Sequence, residues 1–402
     1  MIGSILYKAQ AQESAWIDLP EYLAGQDLFP KFYHKCKDTQ EERAAFGSLV
    51  TLPFIPKITK KIDPSLCFYG ALSFPSHNLD TLWNDFPSTL FFLPLYEIRQ
   101  TPKKTTLYVR SLPSSKPLKP SIWLEDAWLL EERIDTPTKE DWHASVKALL
   151  QVIENKKLQK VVLARKTSFS IDPSLHPFCF LKKLLKEAPS TTTFALQTTP
   201  NSLFLGSSPE KLYKREDDIL HTEAIAGTRK RSLDPLEDEA LKVALQKSIK
   251  DKKEVLHVKT FLEKELSSLC KEVSSPKKAS LIQTEKLHHL HYAFKGLLHE
   301  EVTDIDLLKA LHPTPAVNGT PKDLALAAIR QIETYNRGLY AGPIGWISSL
   351  EASFTVAIRS SLIKEGSLHA FAGTGIVQGS EPHLEWEELD HKISHWKSPC
   401  LI

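Results

Sequence analysis

An α+β fold with a largely antiparallel sheet is the architecture that this 402-residue chain predicts. Three observations lead there. Strand-like segments follow one another at hairpin spacing, which a doubly wound parallel sheet does not show. Helical periodicity interrupts them in a few long blocks. The composition, 42% hydrophobic and 25% charged, is that of an ordinary globular protein. The length is worth about 2.7 average domains, but one large mixed domain can run this long.

The first third is irregular, rich in proline and aromatic residues. Strands are expected at Cys67 to Phe74 and at Thr105 to Leu112. Leu90 to Tyr96 is the most apolar segment; it is far shorter than the ~18 apolar residues of a membrane helix, so it reads as core. Ser111 to Ser121 is a Ser- and Pro-rich loop. A soft boundary at Asp135 to Thr138 separates residues 1–135 from a catalytic region, 136–402. It is either a subdomain border or a loop inside one intertwined domain.

Beyond it the pattern sharpens. Trp142, Val146, Leu149, Leu150 and Ile153 recur at helical spacing behind Thr138, a plausible cap. Lys160 to Ile171, TFALQT and SLFLGS read as strands, and Leu212 to Gly227 as a hairpin turning at Glu216 to Asp218. One long helix is expected from Pro235 to about Ser267, and another opening at Thr320-Pro321 with proline in its first position. Strands at Gly342–Ile347, Phe354–Leu362 and Leu368–Ala372 precede a last helix that contains Glu385 to Lys392.

Charge and cysteine content exclude several roles. The formal net charge is +2, which points to neither nucleic acid nor a membrane surface. Five scattered cysteines without a CxxC pair make neither a disulfide framework nor a zinc site, and free thiols fit a reducing cytoplasm. The N-terminus reaches Lys8 at once and is not a secretory signal.

Several residues are able to carry chemistry. Asp251 and Glu254 stand i, i+3 on one helix, and Glu385 and Glu388 repeat the spacing on another. Such faces either surround a hard cation such as Mg²⁺ or are simply solvated. Lys160 opens an apolar strand. Buried there, it would tend toward the neutral amine of a general base; at the strand entrance it would sit in solvent. Glu210, in the turn of GSSPEK, is a general acid or a surface residue. AIAGTRKR and AGTGIVQG offer backbone donors to an anion, or are tight turns; the second lacks the dinucleotide spacing. HHLH, His288 to His291, alternates across any regular element and has no accompanying cysteine, which disfavours zinc and leaves His289 as a pocket residue.

Taken in order, KVVLAR, FLGSSPEKL, TEAIAGTRKR, KDKKE, HPTPAVNGTPKD, RGLYAGPIGW, TVAIRS and FAGTGIVQGSEPHLEWEELDHK resemble the chorismate-utilising enzymes, over roughly Asp141 to the end. FYGALSF and FFLPLYEI extend the resemblance weakly into the first third. The resemblance implies a single large fold of layered, largely antiparallel sheets flanked by helices, with an active site between the layers and Mg²⁺ as cofactor. By position it makes Lys160 the base that activates water and Glu210 the general acid. It makes Glu254 and Glu388 direct metal ligands, with Asp251 and Glu385 reaching the metal through water. Gly227, Thr228, Tyr340, Arg359, Gly373, Gly375 and Lys392 would hold the carboxylates of chorismate, and His289 would line the pocket.

Within the family, the lysine at 160 and the alanine at 226 resemble members that use water rather than ammonia, so no amidotransferase subunit is expected. Ala316 stands where pyruvate-eliminating members carry threonine, so the product implied is isochorismate, as in the menaquinone route. A salicylate-forming enzyme and a non-catalytic chorismate-binding regulatory protein are the alternatives. Val255, Thr374 and His383 depart from the usual family residues, none of them at an expected catalytic position.

Overall fold

The computed structural model describes residues 10–76, 80–110, 118–124, 130–155, 157–283 and 287–397. A long hydrophobic ladder joins Lys160–Ser170 to Ser367–Val377. The pairing is antiparallel, with Lys160 opposite Val377 and Val162 opposite Gly375. Alternating apolar residues drive this ladder: Val161, Leu163, Phe371 and Ile376 are all buried. Ladders of this kind link twenty strands among the described residues, all of them antiparallel.

The connected strands form two halves. In one, Ser360–Lys364 lies between Ser367–Val377 and Ser202–Ser208, which continues to Thr192–Thr199. In the other, Pro343–Ile347 leads to Glu351–Val356, then to Lys211–Glu216, Ile219–Lys230 and Leu287–Leu298. Strands before residue 135 bridge the halves: Lys31–Lys35 pairs with Thr192–Thr199, and Phe68–Leu72 with Pro343–Ile347. The chain steps directly from a strand of one half to a strand of the other at 208–211 and at 356–360.

The first third is more regular than its composition suggests. Glu42–Leu52 pairs with Thr89–Thr101 along both their lengths. Pro94 is tolerated in that core strand because it faces Ser48, where a bulge relaxes the ladder. The expected strand at Thr105 to Leu112 is shorter, Lys104–Val109. Of the Ser/Pro loop, 118–121 has no regular structure and 111–117 lies outside the described residues.

Three other expectations need correction. The long helix is two, Pro235–Lys247 and Ile249–Leu269. Ser248 breaks them: it takes an extended conformation and its hydroxyl accepts from Asp251 N–H at 3.2 Å, capping the second helix. The strand expected from Phe354 to Leu362 is also two, Glu351–Val356 and Ser360–Lys364, parted where Arg359 turns to φ +52°. Pro321 is the cap, not the first residue, of Lys322–Ile332. The hairpin turn at Glu216 to Asp218 is where it was expected, with Asp217 at φ +53°. No described helix is long and apolar enough to cross a membrane.

Helix Pro382–Lys397 closes one side of the ladder. Trp386, Leu389, Ile393 and Trp396 are buried at i, i+3/i+4 spacing. Trp386 meets Trp142 of Lys139–Glu154 edge-on at 6.1 Å, and Arg165 lies over its ring at 4.2 Å. Trp142 is 1% exposed. Trp142→Ala should cost about 3–5 kcal/mol of stability, read as a lower denaturant midpoint at unchanged slope.

Candidate active site

The two crossings satisfy each other's backbone. Glu210 C=O accepts from Val356 N–H at 3.1 Å and from the Thr355 hydroxyl at 2.5 Å. Ser207 N–H donates to Arg359 C=O at 3.1 Å. Glu210 and Arg359, far apart in sequence, thus line one cavity of about 940 Å³.

Glu210 is 6% exposed. Burial first, and then the negative charge of Glu223, push its carboxyl up to about 7, against the Thr314 hydrogen bond, Lys160 and Lys37. The Thr314 hydroxyl donates to Glu210 Oε1 at 3.3 Å and accepts from Ala316 N–H at 3.3 Å. A carboxyl poised there can give a proton near neutral pH.

Lys160 is 1% exposed, so the solvent-facing reading of it is wrong. Its ammonium donates to Glu254 Oε1 at 3.2 Å. A methyl on Gly375 would stand 2.7 Å from Lys160 Cε, so the lysine would have to shift to admit it. Glu254 comes from helix Ile249–Leu269, which packs Val255, Val258 and Leu262 inward. Burial, the largest cause, works to raise its pKa and Glu388 adds to that, but the charge and hydrogen bond of Lys160 together with Lys392 bring the net direction down.

Gly227 sits at a bulge in Ile219–Lys230 with φ +69°, directly against Asp251. Asp251 is buried and bound by Arg229 at 2.7 Å. Glu388 pairs with Lys392 at 2.6 Å, and Lys392 also donates to Gly373 C=O at 2.7 Å. Glu385 is buried and accepts from the Thr374 hydroxyl at 2.5 Å. Thr374 therefore touches one of the expected acidic residues after all, whereas Val255 is core and His383 is on the surface.

The four carboxylates do not converge. Among the described residues, no three acidic, histidine or cysteine side chains stand close enough to share a metal. Arg229 engages Asp251 and Thr374 engages Glu385. Glu254 and Glu388 face the same cavity and repel each other. Two glutamates with like-charge repulsion and only oxygen donors suit a hard cation that completes its shell with water and substrate oxygens. The residues present fit Mg²⁺ in that form.

Gly227, His289, Ala316, Tyr340, Gly373 and Lys392 also line the cavity. Lys160, Gly375 and Glu385 are not among the residues that line it, although Lys160 reaches Glu254, which does. The side chain of Thr228 lies outside the described residues; its backbone is opposite His289. His289 is pushed down to about 4 by burial and then by Arg359, so its ring is neutral at pH 7. Arg359 is half-buried, and burial lowers its pKa. Among the described residues no carboxylate pairs with it. The glycine clusters are strand segments rather than turns, which removes one of their two readings. HHLH alternates as expected: His288 binds Asp238 at 2.8 Å and His291 binds Glu223 at 3.2 Å.

Sequence reasoning missed Lys37, Glu223, Thr314 and the Thr374 contact. Thr314 was within reach, because it lies in HPTPAVNG.

Fold and cavity together define an α+β protein whose buried acid, lysines and arginine enclose room for a small carboxylate ligand. A family profile described as chorismate binding enzyme matches residues 21–398. The chain belongs to that family. It is 31% identical over 394 residues to isochorismate synthase MenF of Haemophilus influenzae, covering 94% of this chain and 88% of that one. It is 36% identical over 263 residues to the chloroplastic isochorismate synthase 2 of Arabidopsis thaliana, covering 65% of this chain and only 47% of the plant protein's length. The solved structure of the menaquinone-specific isochorismate synthase MenF of Escherichia coli superposes with a TM-score of 0.84 at 25% identity, over 96% of this chain and 93% of that one.

The Glu210 environment generates a prediction. Activity should fall as pH rises through about 7, where the carboxyl loses its proton. Glu210→Gln should be slower by about 10²–10⁴ and its pH–rate profile should lose that alkaline limb.

Proposed function

We propose that the chain is a Mg²⁺-dependent isochorismate synthase, serving menaquinone synthesis, and that it uses water as nucleophile. One observation carries the reading: a carboxyl that titrates near neutrality shares a cavity with Arg359, which has no carboxylate partner among the described residues. A dicarboxylate supplies the missing anion. Similarity to isochorismate synthases over most of the chain supports the substrate and product.

Arg359 and Lys392 bind the carboxylates, and the backbone donors around Gly227 and Gly373 orient them. Lys160 is the base of this reading and takes a proton from water as the water attacks one face of the ring. Glu210 gives its proton to the hydroxyl leaving the ring. The acid has lost one proton and the base has gained one, so the pair must exchange them with solvent before the next turnover. Glu254 and Glu388 would hold Mg²⁺, which would supply neutralisation of the ring carboxylate. Ala316 presents a methyl to the cavity, with no hydroxyl to assist removal of the pyruvyl group. Because water is the nucleophile, no ammonia-supplying subunit is needed. None of the four described cysteines is in a disulfide, which suits a reducing cytoplasm.

Purified protein given chorismate and Mg²⁺ should release isochorismate near neutral pH, identified by chromatography and mass. Salicylate as the main product would replace this reading with pyruvate elimination. Tight chorismate binding without any turnover would make the chain a regulatory binder.

Glu254→Gln or Glu388→Gln should weaken Mg²⁺ binding in a calorimetric titration and nearly abolish turnover. Asp251→Asn, whose carboxylate is engaged by Arg229, should lose about 10–100-fold. Wild-type turnover that survives exhaustive EDTA treatment would exclude the metal.

A further inference from the structure

The reach of Lys37 into the site is unexplained by the reaction just described. Lys37 lies in the turn between Lys31–Lys35 and Glu42–Leu52, in the first third of the chain. Its ammonium donates to Pro209 C=O at 2.5 Å and to Glu223 at 2.5 Å. Glu223 in turn accepts from Lys211 N–H at 3.0 Å. One ion pair therefore holds the carbonyl just before Glu210 and the N–H just after it. The neighbouring Asp38 adds an ion pair to the Lys211 side chain at 2.6 Å. Both members of the pair are nearly buried, with side chains 11% and 7% exposed, so this contact is not a screened surface bridge.

We propose that Lys37 and Glu223 are positioning residues that clamp the backbone on both sides of Glu210 and place a balanced pair of charges behind its carboxyl. The proposal rests on Glu210 being the general acid.

The charges facing each carboxyl are on the page. Glu210 is faced by Glu223, Lys37, Lys160 and Tyr340, and receives the Thr314 hydroxyl. Glu223 is faced by His291, Lys37 and Lys211. Burial would raise Glu223, but these three donors outweigh it and hold it at about 2, so it stays anionic wherever the enzyme works. An anion there keeps the proton on Glu210; the Lys37 cation pulls the other way.

The two charges make opposite predictions. Glu223→Gln keeps an acceptor for Lys211 N–H but removes the negative charge. Glu210 should then lose its proton more easily, and the alkaline limb should move down by roughly one pH unit. Lys37→Met removes the positive charge and leaves Glu223 with only His291 and Lys211, so the limb should move up, by less than Glu223→Gln moves it down because Lys37 acts on Glu210 the more weakly. It also frees Pro209 C=O, so kcat should fall, by up to roughly 100-fold, while KM for chorismate holds.

The experiment is the pH–rate profile of full-length wild type, both single variants, the double variant and Glu210→Gln, with folding checked by circular dichroism. Opposite shifts of the limb, with the double variant between the two single variants, support the clamp. If a single variant does not fold, the charge-balanced double variant decides, with its limb near wild type and kcat reduced. Shifts in the same direction, unmoved limbs beside an inactive Glu210→Gln, or a double variant with wild-type kcat would overturn the clamp and leave the acid role standing. An active Glu210→Gln that keeps the alkaline limb would remove the acid role, and the clamp with it.

Discussion

The site depends on the two short segments, 208–211 and 356–360, where the chain steps directly from a strand of one half of the sheet to a strand of the other. A crossing strand gives up its ladder partners, and buried backbone groups left without partners are costly. Here the crossings pair with each other, through Val356 N–H and the Thr355 hydroxyl to Glu210 C=O, and through Ser207 N–H to Arg359 C=O. That mutual pairing brings an acid and a cation, 149 positions apart (359 − 210 = 149), to one cavity wall. Arg359 accepts a left-handed backbone, φ +52°, to make its crossing. Non-glycine residues held so are found where surrounding structure over-determines them.

Charge is distributed around the cavity with little left over. Lys160 answers Glu254, Lys392 answers Glu388, and Arg229 answers Asp251. Arg359 has no such answer among the described residues. A dianionic ligand supplies the opposite charge and gains most where water is excluded. The same logic separates Glu210 from its neighbours. Burial and the fixed anion at Glu223 keep it protonatable near pH 7, while Lys160 holds Glu254 ionised. Two glutamates in one site thus take different states from different surroundings.

Much of this was legible in the sequence because it is local. The Lys160–Ser170 strand, the Trp142 helix and the turn before Asp218 all follow from periodicity and turn residues. The helix break at Ser248 and the strand break before Ser360 were not, since the apolar pattern runs through both. Only the cap on Asp251 and the crossing at Arg359 reveal them. The site residues were readable as a set through the resemblance, yet their engagements were not. That Thr374 binds Glu385, or that Lys37 reaches Pro209 across 172 positions, depends on packing that no spacing encodes.

The central claim is that Lys160 and Glu210 exchange one hydroxyl of chorismate for another drawn from water. Turnover in H₂¹⁸O, followed by mass spectrometry of the isochorismate formed in the first few per cent of conversion, tests it directly. The account predicts one ¹⁸O per product molecule, in the new ring hydroxyl. Isochorismate that carries no label would mean the hydroxyl migrates within the substrate, and Lys160 would have no water to activate.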